Sequence, residues 1–234
     1  MYINYLHFNE IDSTHSYALN HLAECNPSHW TAISAGTQRS GKGQGQKSWQ
    51  DIPGKAVLLT LVSPQISLEA EAVFPHHMAA AVAALEALQP FAHTRLQLKW
   101  PNDLYRDGQK LGGLLTDAQW AGDRCKRLVF SIGVNALEAP EGFAALDRVP
   151  PLEEVRSILA EALVRAWTEE PLKAHDSYVK HWMHAGMGRW KRAGEEEVFQ
   201  AHAVGVDAFG RIGLQPLEAD GPSWYLHGQV QWVG

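Results

Sequence analysis

Three stretches of the chain concentrate side chains that can handle anions. The first, Gln38-Arg39-Ser40-Gly41-Lys42-Gly43-Gln44-Gly45-Gln46-Lys47-Ser48-Trp49, sets glycines at alternate positions among amide and amine donors. A loop of this kind either cradles phosphates with its backbone N–H groups or simply makes turns. No Gly-Lys-Ser/Thr closes it, and it lacks the Gly-x-Gly-x-x-Gly fingerprint of a dinucleotide site, so neither standard phosphate loop is present. The second stretch is Lys99-Trp100-Pro101-Asn102-Asp103 with Lys110-Leu111-Gly112-Gly113 after it, which brings two lysines, an amide and a carboxylate together around turn-forming residues. The third, Asp12-Ser13-Thr14, precedes the helical pattern of Tyr17, Ala18 and Leu22. Ser13 or Thr14 then stands at a helix amino terminus, where N–H groups and a hydroxyl suit an anion or a carbonyl, or serve only as a cap.

Regular elements must hold these stretches in place. Trp30-Thr31-Ala32-Ile33-Ser34 reads as a strand entering the glycine-rich loop, and Val57-Leu58-Leu59-Thr60-Leu61-Val62 as a buried strand leaving it. Residues 75–88 have helical spacing, with Pro75 expected in the first turn, where a missing N–H is tolerated. Leu96, Leu98 and Trp100 alternate with polar neighbours, which predicts a half-buried strand, and Asp107-Gly108 predicts a hairpin. Leu114-Leu115 and the apolar run 128–132 extend this into a meander turning at Ala121-Gly122-Asp123. Helices are expected over 152–167, broken at Pro171, and over 175–183, stopping near Gly186. From Trp190 the pattern changes to short strands around Ala203-Val204-Gly205-Val206, Ile212-Gly213-Leu214 and Gln229-Val230-Gln231-Trp232, which suggests a small β-barrel appendage.

Composition narrows the function classes. With 234 residues, 45% hydrophobic and 20% charged, the chain can bury a sizeable core. A formal charge of −6 argues against bulk nucleic-acid binding, which needs a clustered basic surface. Cys25 and Cys125 form no Cys-x-x-Cys pair, so a reducing cytoplasmic setting is expected. No apolar run approaches the roughly 20 residues that cross a bilayer, and Met1-Tyr2-Ile3-Asn4-Tyr5 does not resemble a signal peptide. Among the 12 histidines nothing matches the His-x-x-x-His spacing of a zinc enzyme.

Lys-Trp-Pro-Asn-Asp, a lysine eleven residues after the first, and the Leu-Gly-Gly that follows it together resemble the central motif of biotin protein ligases. Asp12-Ser13-Thr14, the glycine-rich stretch from Gln38 to Trp49, and Ser131-Ile132-Gly133-Val134-Asn135 follow the family's order of elements. The resemblance implies an α+β fold: a catalytic domain over 1–187, built on a mixed sheet flanked by helices, and a small SH3-like barrel over 188–234. It implies ATP, Mg²⁺ and biotin as ligands, and a biotin carboxyl carrier domain of a carboxylase as acceptor. By the same resemblance, Ser13, Thr14, Gln38, Gly41, Lys42, Lys110 and Gly113 correspond to biotin-contacting positions. Trp49, Lys99, Asn102, Asp103 and Asn135 correspond to nucleotide positions. Asp103 is also the candidate magnesium ligand, since magnesium favours oxygen donors beside phosphates.

Bringing a carboxylate against a polyphosphate opposes negative charges, so the chemistry needs positioned cations and donors, expected to be Lys110, Lys42 and Gln44. The family loop usually carries arginine where this chain has Lys42, which supplies charge but no bidentate fork. No room is expected for a DNA-binding domain ahead of the catalytic region, and either a monomer or a homodimer is compatible. A lipoate or octanoate ligase and a non-catalytic biotin binder are the alternative readings.

Overall fold

The computed structural model of the chain describes residues 2–45, 47–168 and 174–234, so Gln46 and the expected helix-breaking Pro171 lie outside the described residues. Strand β1 (Ile3–Ile11) leads into α1 (Thr14–Asn20), then β2 (Trp30–Gln38), the short pair β3 (Gly41–Lys42) and β4 (Ser48–Trp49), and β5 (Ala56–Val62). Helix α2 (Ala70–Leu88) precedes β6 (Leu96–Lys99), β7 (Asp103–Arg106), β8 (Gln109–Ala121) and β9 (Arg124–Asn135). Helices α3 (Leu152–Thr168) and α4 (Ala174–Lys180) follow.

These elements build a seven-stranded sheet in the order β1-β2-β5-β9-β8-β7-β6. β1 runs parallel to β2 and the other pairings are antiparallel, which makes the sheet mixed, as expected. Alternation along the strands sorts the two faces. Val57, Leu59 and Leu61 of β5 and Leu128, Phe130 and Ile132 of β9 pack with residues of α2 and α3 in the main core. The opposite face carries Val62 and Val129 under Ala18 and Leu22 at α1, and then turns polar: Thr60 of β5 lies opposite Ser131 of β9. Farther along the same face Leu58 joins Ala35 and Ala56 in a second small apolar cluster, so that the Thr60–Ser131 pair lies between the two clusters.

The structure revises several local expectations. The helix expected over 75–88 begins at Ala70, with Pro75 inside it. Glu69 caps it without a side-chain hydrogen bond, so no polar signature marks its start, and proline's fixed φ is itself helical. The second carboxyl-side helix is shorter than expected, ending at Lys180. The glycine-rich stretch is a small hairpin in which Gly41 pairs with Trp49 and Lys42 with Ser48. β1 carried no expectation, because it is an edge strand with mostly exposed residues and no clear alternation.

The carboxyl-terminal part comprises β10 (Met187–Arg192), β11 (Val198–Val206), β12 (Ile212–Pro216), β13 (Ser223–Tyr225) and β14 (Val230–Trp232). They form one antiparallel sheet in the order β13-β12-β11-β10-β14. The expected SH3-like barrel is not found as a closed barrel: among the described residues the edge strands β13 and β14 do not pair. At three residues each, these edges offer few ladder bonds for closure.

Candidate functional site

A cavity of about 1290 Å³ opens over this face of the large sheet and is roofed on one side by the carboxyl-terminal sheet. Its floor follows β9, where Ser131, Gly133 and Asn135 line it at alternate positions. Successive same-face residues stand roughly 7 Å apart, so the floor has two ends and a middle. Of the residues singled out from sequence, Ser13, Thr14, Gln38, Lys42, Gln44, Trp49, Lys99, Asn102, Asp103, Lys110, Gly113 and Asn135 all line this one space. Gly41 does not. It is buried behind the wall, and a Cβ there would lie 2.7 Å from the Trp49 carbonyl oxygen and 3.0 Å from Gln38 Nε2. Its role is to let the hairpin close against Gln38.

At the Ser131 end the cavity is lined by hydroxyl, amide and imidazole groups. Ser13 is the N-cap of α1 with extended backbone, and its hydroxyl accepts from the Ser16 N–H at 3.3 Å. Thr14 donates to Gln38 Oε1 through its backbone N–H at 2.8 Å and its hydroxyl at 3.1 Å. Thr60 donates to the Thr14 hydroxyl at 2.9 Å and lies 2.8 Å from the Ser131 hydroxyl. His15 joins this set, with Nδ1 2.8 Å from Ser131 Oγ and Nε2 2.7 Å from Asp117 Oδ2. That contact holds the Asp117 carboxyl below the usual carboxylate range, against the opposing effect of burial.

In the middle, the β7–β8 hairpin delivers a charged pair. Asp107 and Gly108 at its turn both have positive φ (49° and 77°), as a two-residue turn of mirror type requires. A register shift beyond Leu104 pairs Tyr105 with Lys110, and Lys110 Nζ reaches Asp103 Oδ1 at 2.6 Å. Gly113, opposite Asp103, makes room for the pair, since a Cβ on it would meet that same oxygen at 3.0 Å. Asn102 is locked into the sheet: its carbonyl accepts from Leu114 N–H at 2.8 Å and its side-chain amide donates to the Leu114 carbonyl at 2.6 Å. From behind, the Pro101 carbonyl accepts from the Tyr178 hydroxyl and from His77 Nε2.

The Asn135 end combines an aromatic wall with a buried amide. Trp49 lies against Gly133, where a Cβ would come within 2.7 Å of the indole. Asn135 is buried and donates to the Ala144 carbonyl at 3.2 Å, but its Oδ1 has no partner among the described residues, and neither has Trp49 Nε1. Buried polar atoms are normally paired, and these two are among several side-chain atoms of the described residues that are not. Lys42 and Lys99 line the same space, and Lys99 Nζ sits 5.2 Å from the centre of the Tyr105 ring.

Sequence reasoning missed the roof. Lys191, Arg192, Gly194 and Glu195 at the β10–β11 turn, with His227 and Trp232, also line the cavity. Their docking depends on contacts between distant segments that no local pattern reveals. Trp100 Nε1 donates to the Gly210 carbonyl at 3.0 Å, and the Trp100 N–H donates to His184 Nε2 at 3.2 Å. His184 lies among Trp182, Trp190 and Trp232, and burial, with Lys99 nearby, pushes its pKa down to about 3. It is therefore a neutral acceptor at ordinary pH. His15, Asp117 and Ser131 were likewise not read as a unit, because they are brought together across three elements.

Comparison with known proteins agrees with this arrangement. Residues 8–135 match the model of the biotin/lipoate A/B protein ligase family. A bifunctional ligase/repressor of Bacillus subtilis is 29% identical over 140 residues, covering 59% of this chain and 42% of the relative. The chain thus spans under half the length of that relative. A biotin–[acetyl-CoA-carboxylase] ligase of Paracoccus denitrificans is 28% identical over 167 residues, covering 66% and 69% of the two chains. The fold resembles that of an Aquifex aeolicus biotin protein ligase solved in complex with biotin and ATP, with TM-score 0.68, 21% identity and 98% of each chain covered. The family match covers residues 8–135, more than half of the chain, and takes in the Lys110–Asp103 pair, Thr14, Gln38 and Asn135: this chain belongs to the biotin/lipoate A/B protein ligase family.

Proposed function

We propose that the chain activates biotin with ATP, giving biotinyl-AMP and pyrophosphate, and then passes the biotinyl group to a lysine of a biotin carboxyl carrier domain. The observation that carries this reading is the Lys110–Asp103 pair, midway between the hydrogen-bonding Ser131 end and an end with unpartnered donor and acceptor atoms. The Ser131 end suits a ureido ring, which offers N–H donors beside a carbonyl. At the other end, Asn135 Oδ1 suits the exocyclic amine of adenine, and Trp49 lies where a flat ring can pack.

In the first step an oxygen of the biotin carboxylate attacks the α-phosphorus, the bond from that phosphorus to the α,β-bridging oxygen breaks, and pyrophosphate departs with the bonding electrons. Lys110 stands where the carboxylate meets the phosphate and offsets their repulsion, while Asp103 holds its ammonium in place. Lys42 and Gln44, on the glycine-rich hairpin, face the same space and add donors to the phosphate. In the second step the neutral acceptor amine attacks the acyl carbon, AMP leaves with the electrons of the acyl–oxygen bond, and the amine's proton passes to solvent. Neither step uses an enzyme nucleophile.

Magnesium would enter with ATP and neutralise phosphate charge. Asp103, with one oxygen engaged by Lys110 and the other available, can meet such an ion, and no cluster of three or more candidate ligands exists among the described residues to hold one independently. We take residues 1–187 as the catalytic unit and 188–234 as the unit that roofs it. No helix among the described residues is long and apolar enough to cross a membrane.

Biotin-dependent exchange of labelled pyrophosphate into ATP tests the first step. Exchange in the parent and its loss in Lys110→Ala support the reading. Tight biotin binding with no exchange would assign a non-catalytic binder, and exchange driven by lipoate or octanoate instead would assign the sister activity.

A further inference from the structure

The hydrogen-bonded chain at the Ser131 end of the cavity has a countable set of protons. Between Gln38 Oε1 and His15 Nδ1 lie three hydroxyls, of Thr14, Thr60 and Ser131, joined by four short contacts. Three hydroxyls supply three protons, and Gln38 Oε1 supplies none. All four contacts are bonded only if the fourth proton comes from His15 Nδ1. The ring's other nitrogen lies 2.7 Å from Asp117 Oδ2, and that contact also needs a proton. A neutral imidazole has one N–H and leaves one link open. An imidazolium closes every link, and Asp117 supplies its counter-charge. His15 is buried, with its side chain 8% exposed, so an ion there depends on such pairing.

We propose that Asp117, His15 and Ser131 form a device that sets ligand specificity. His15, protonated on both nitrogens and neutralised by Asp117, turns the hydroxyl chain toward Gln38, so that Ser131 and Thr14 present lone pairs, not protons, to the ligand head. This rests on the biotin reading above and names the feature of that ligand which the site selects. In this arrangement each hydroxyl spends its proton along the chain and keeps one acceptor site. Gln38 Oε1 is filled by the Thr14 N–H and O–H, which leaves the Gln38 amide N–H groups as donors. Lone pairs beside N–H groups complement a cyclic urea, whose N–H groups flank a carbonyl. They offer nothing to an apolar or disulfide-bearing head. His15 and Asp117 are positioning residues here; Ser131 and Thr14, which line the cavity, are the groups that meet the ligand.

The test has two independent arms. Nitrogen NMR of the ¹⁵N-histidine-labelled full chain, with His15 assigned by comparison with His15→Leu, is expected to show both ring nitrogens protonated and the pattern lost in Asp117→Asn. A neutral-tautomer spectrum for His15 would overturn the proposal, and this arm needs no substrate. In the kinetic arm, Ser131→Ala and His15→Leu should each raise the biotin KM about tenfold or more, the size of one lost hydrogen bond, with kcat and the ATP KM within about twofold. Preference for biotin over lipoate should fall by the same factor. His15→Asn, which can place an amide N–H near the Nδ1 position, should recover most of the loss. Equal losses in kcat, both KM values and melting temperature would mean a merely structural role and would overturn the assignment. If the parent shows no biotin-dependent exchange, the ligase reading has failed, and the nitrogen spectrum still decides whether the relay exists.

Discussion

At the residue scale, the proposed chemistry turns on the Lys110 ammonium. Lys110→Ala removes the cation proposed for the junction of carboxylate and phosphate while leaving the Ser131 end intact, so kcat for adenylation should fall about 10²–10³-fold with a much smaller change in biotin affinity, as burst kinetics would show. A comparable fall in biotin affinity alone would move Lys110 to a binding role. Lys42 gives a second expectation. An arginine there can form a bidentate contact, so Lys42→Arg should slow dissociation of biotinyl-AMP by about tenfold or more, measured by trapping released adenylate. The cavity-lining residues of the motif stretches were legible because each motif is contiguous or spans one hairpin. The close packing of Gly41 was not legible, since sequence shows that a residue is glycine but not which neighbour comes too close. His15, Asp117 and Ser131 were unreadable as a group for the opposite reason: 116 positions separate the first from the last.

At the element scale, the site is held by strands whose alternation puts polar groups on one face and core on the other. Gly133 is a tight point, since a methyl group there would collide with Trp49. Gly133→Ala should displace the indole and shift its fluorescence. It should also raise the ATP KM more than the biotin KM; unchanged emission and ATP kinetics would show that Trp49 does not shape the nucleotide end. The Asp107-Gly108 hairpin and the meander through β9 were legible because turn chemistry and period-two patterning are local signals. The edge strand β1 was not, because its exposed residues give no alternation, and its pairing with β2 is parallel and non-local. The start of α2 was hidden by Pro75, which sequence rules place in a first turn and the structure places inside the helix.

At the scale of the whole molecule, a joint at Gly210 helps tie the carboxyl-terminal sheet to the seven-stranded sheet. Gly210 has φ 80°, accepts from Trp100 Nε1, and stands where a Cβ would meet Phe74 of α2 at 2.6 Å. Gly210→Ala combines backbone strain with collision and should destabilise the protein by about 2 kcal/mol or more, read from denaturant midpoints. Beside this joint, His184 has its pKa depressed to about 3. An unfolded histidine titrates near 6.5, so the stability this neutral group contributes is fully present above about pH 6.5 and is lost as pH falls toward 3. Melting temperature should therefore decline over that window more steeply in the parent than in His184→Gln, which keeps a neutral acceptor; parallel profiles would remove His184 as the cause. The carboxyl-terminal strands were legible as short β segments, but neither their open sheet nor its docking over the cavity was, because both depend on contacts such as Trp100 with Gly210. The most direct test of the central claim is mass spectrometry of a carrier domain incubated with the enzyme, Mg-ATP and equal amounts of biotin and lipoate. A biotin-sized gain on one carrier lysine, absent with Lys110→Ala, is the expected result; a lipoyl-sized gain, or no gain despite biotin binding, would contradict it.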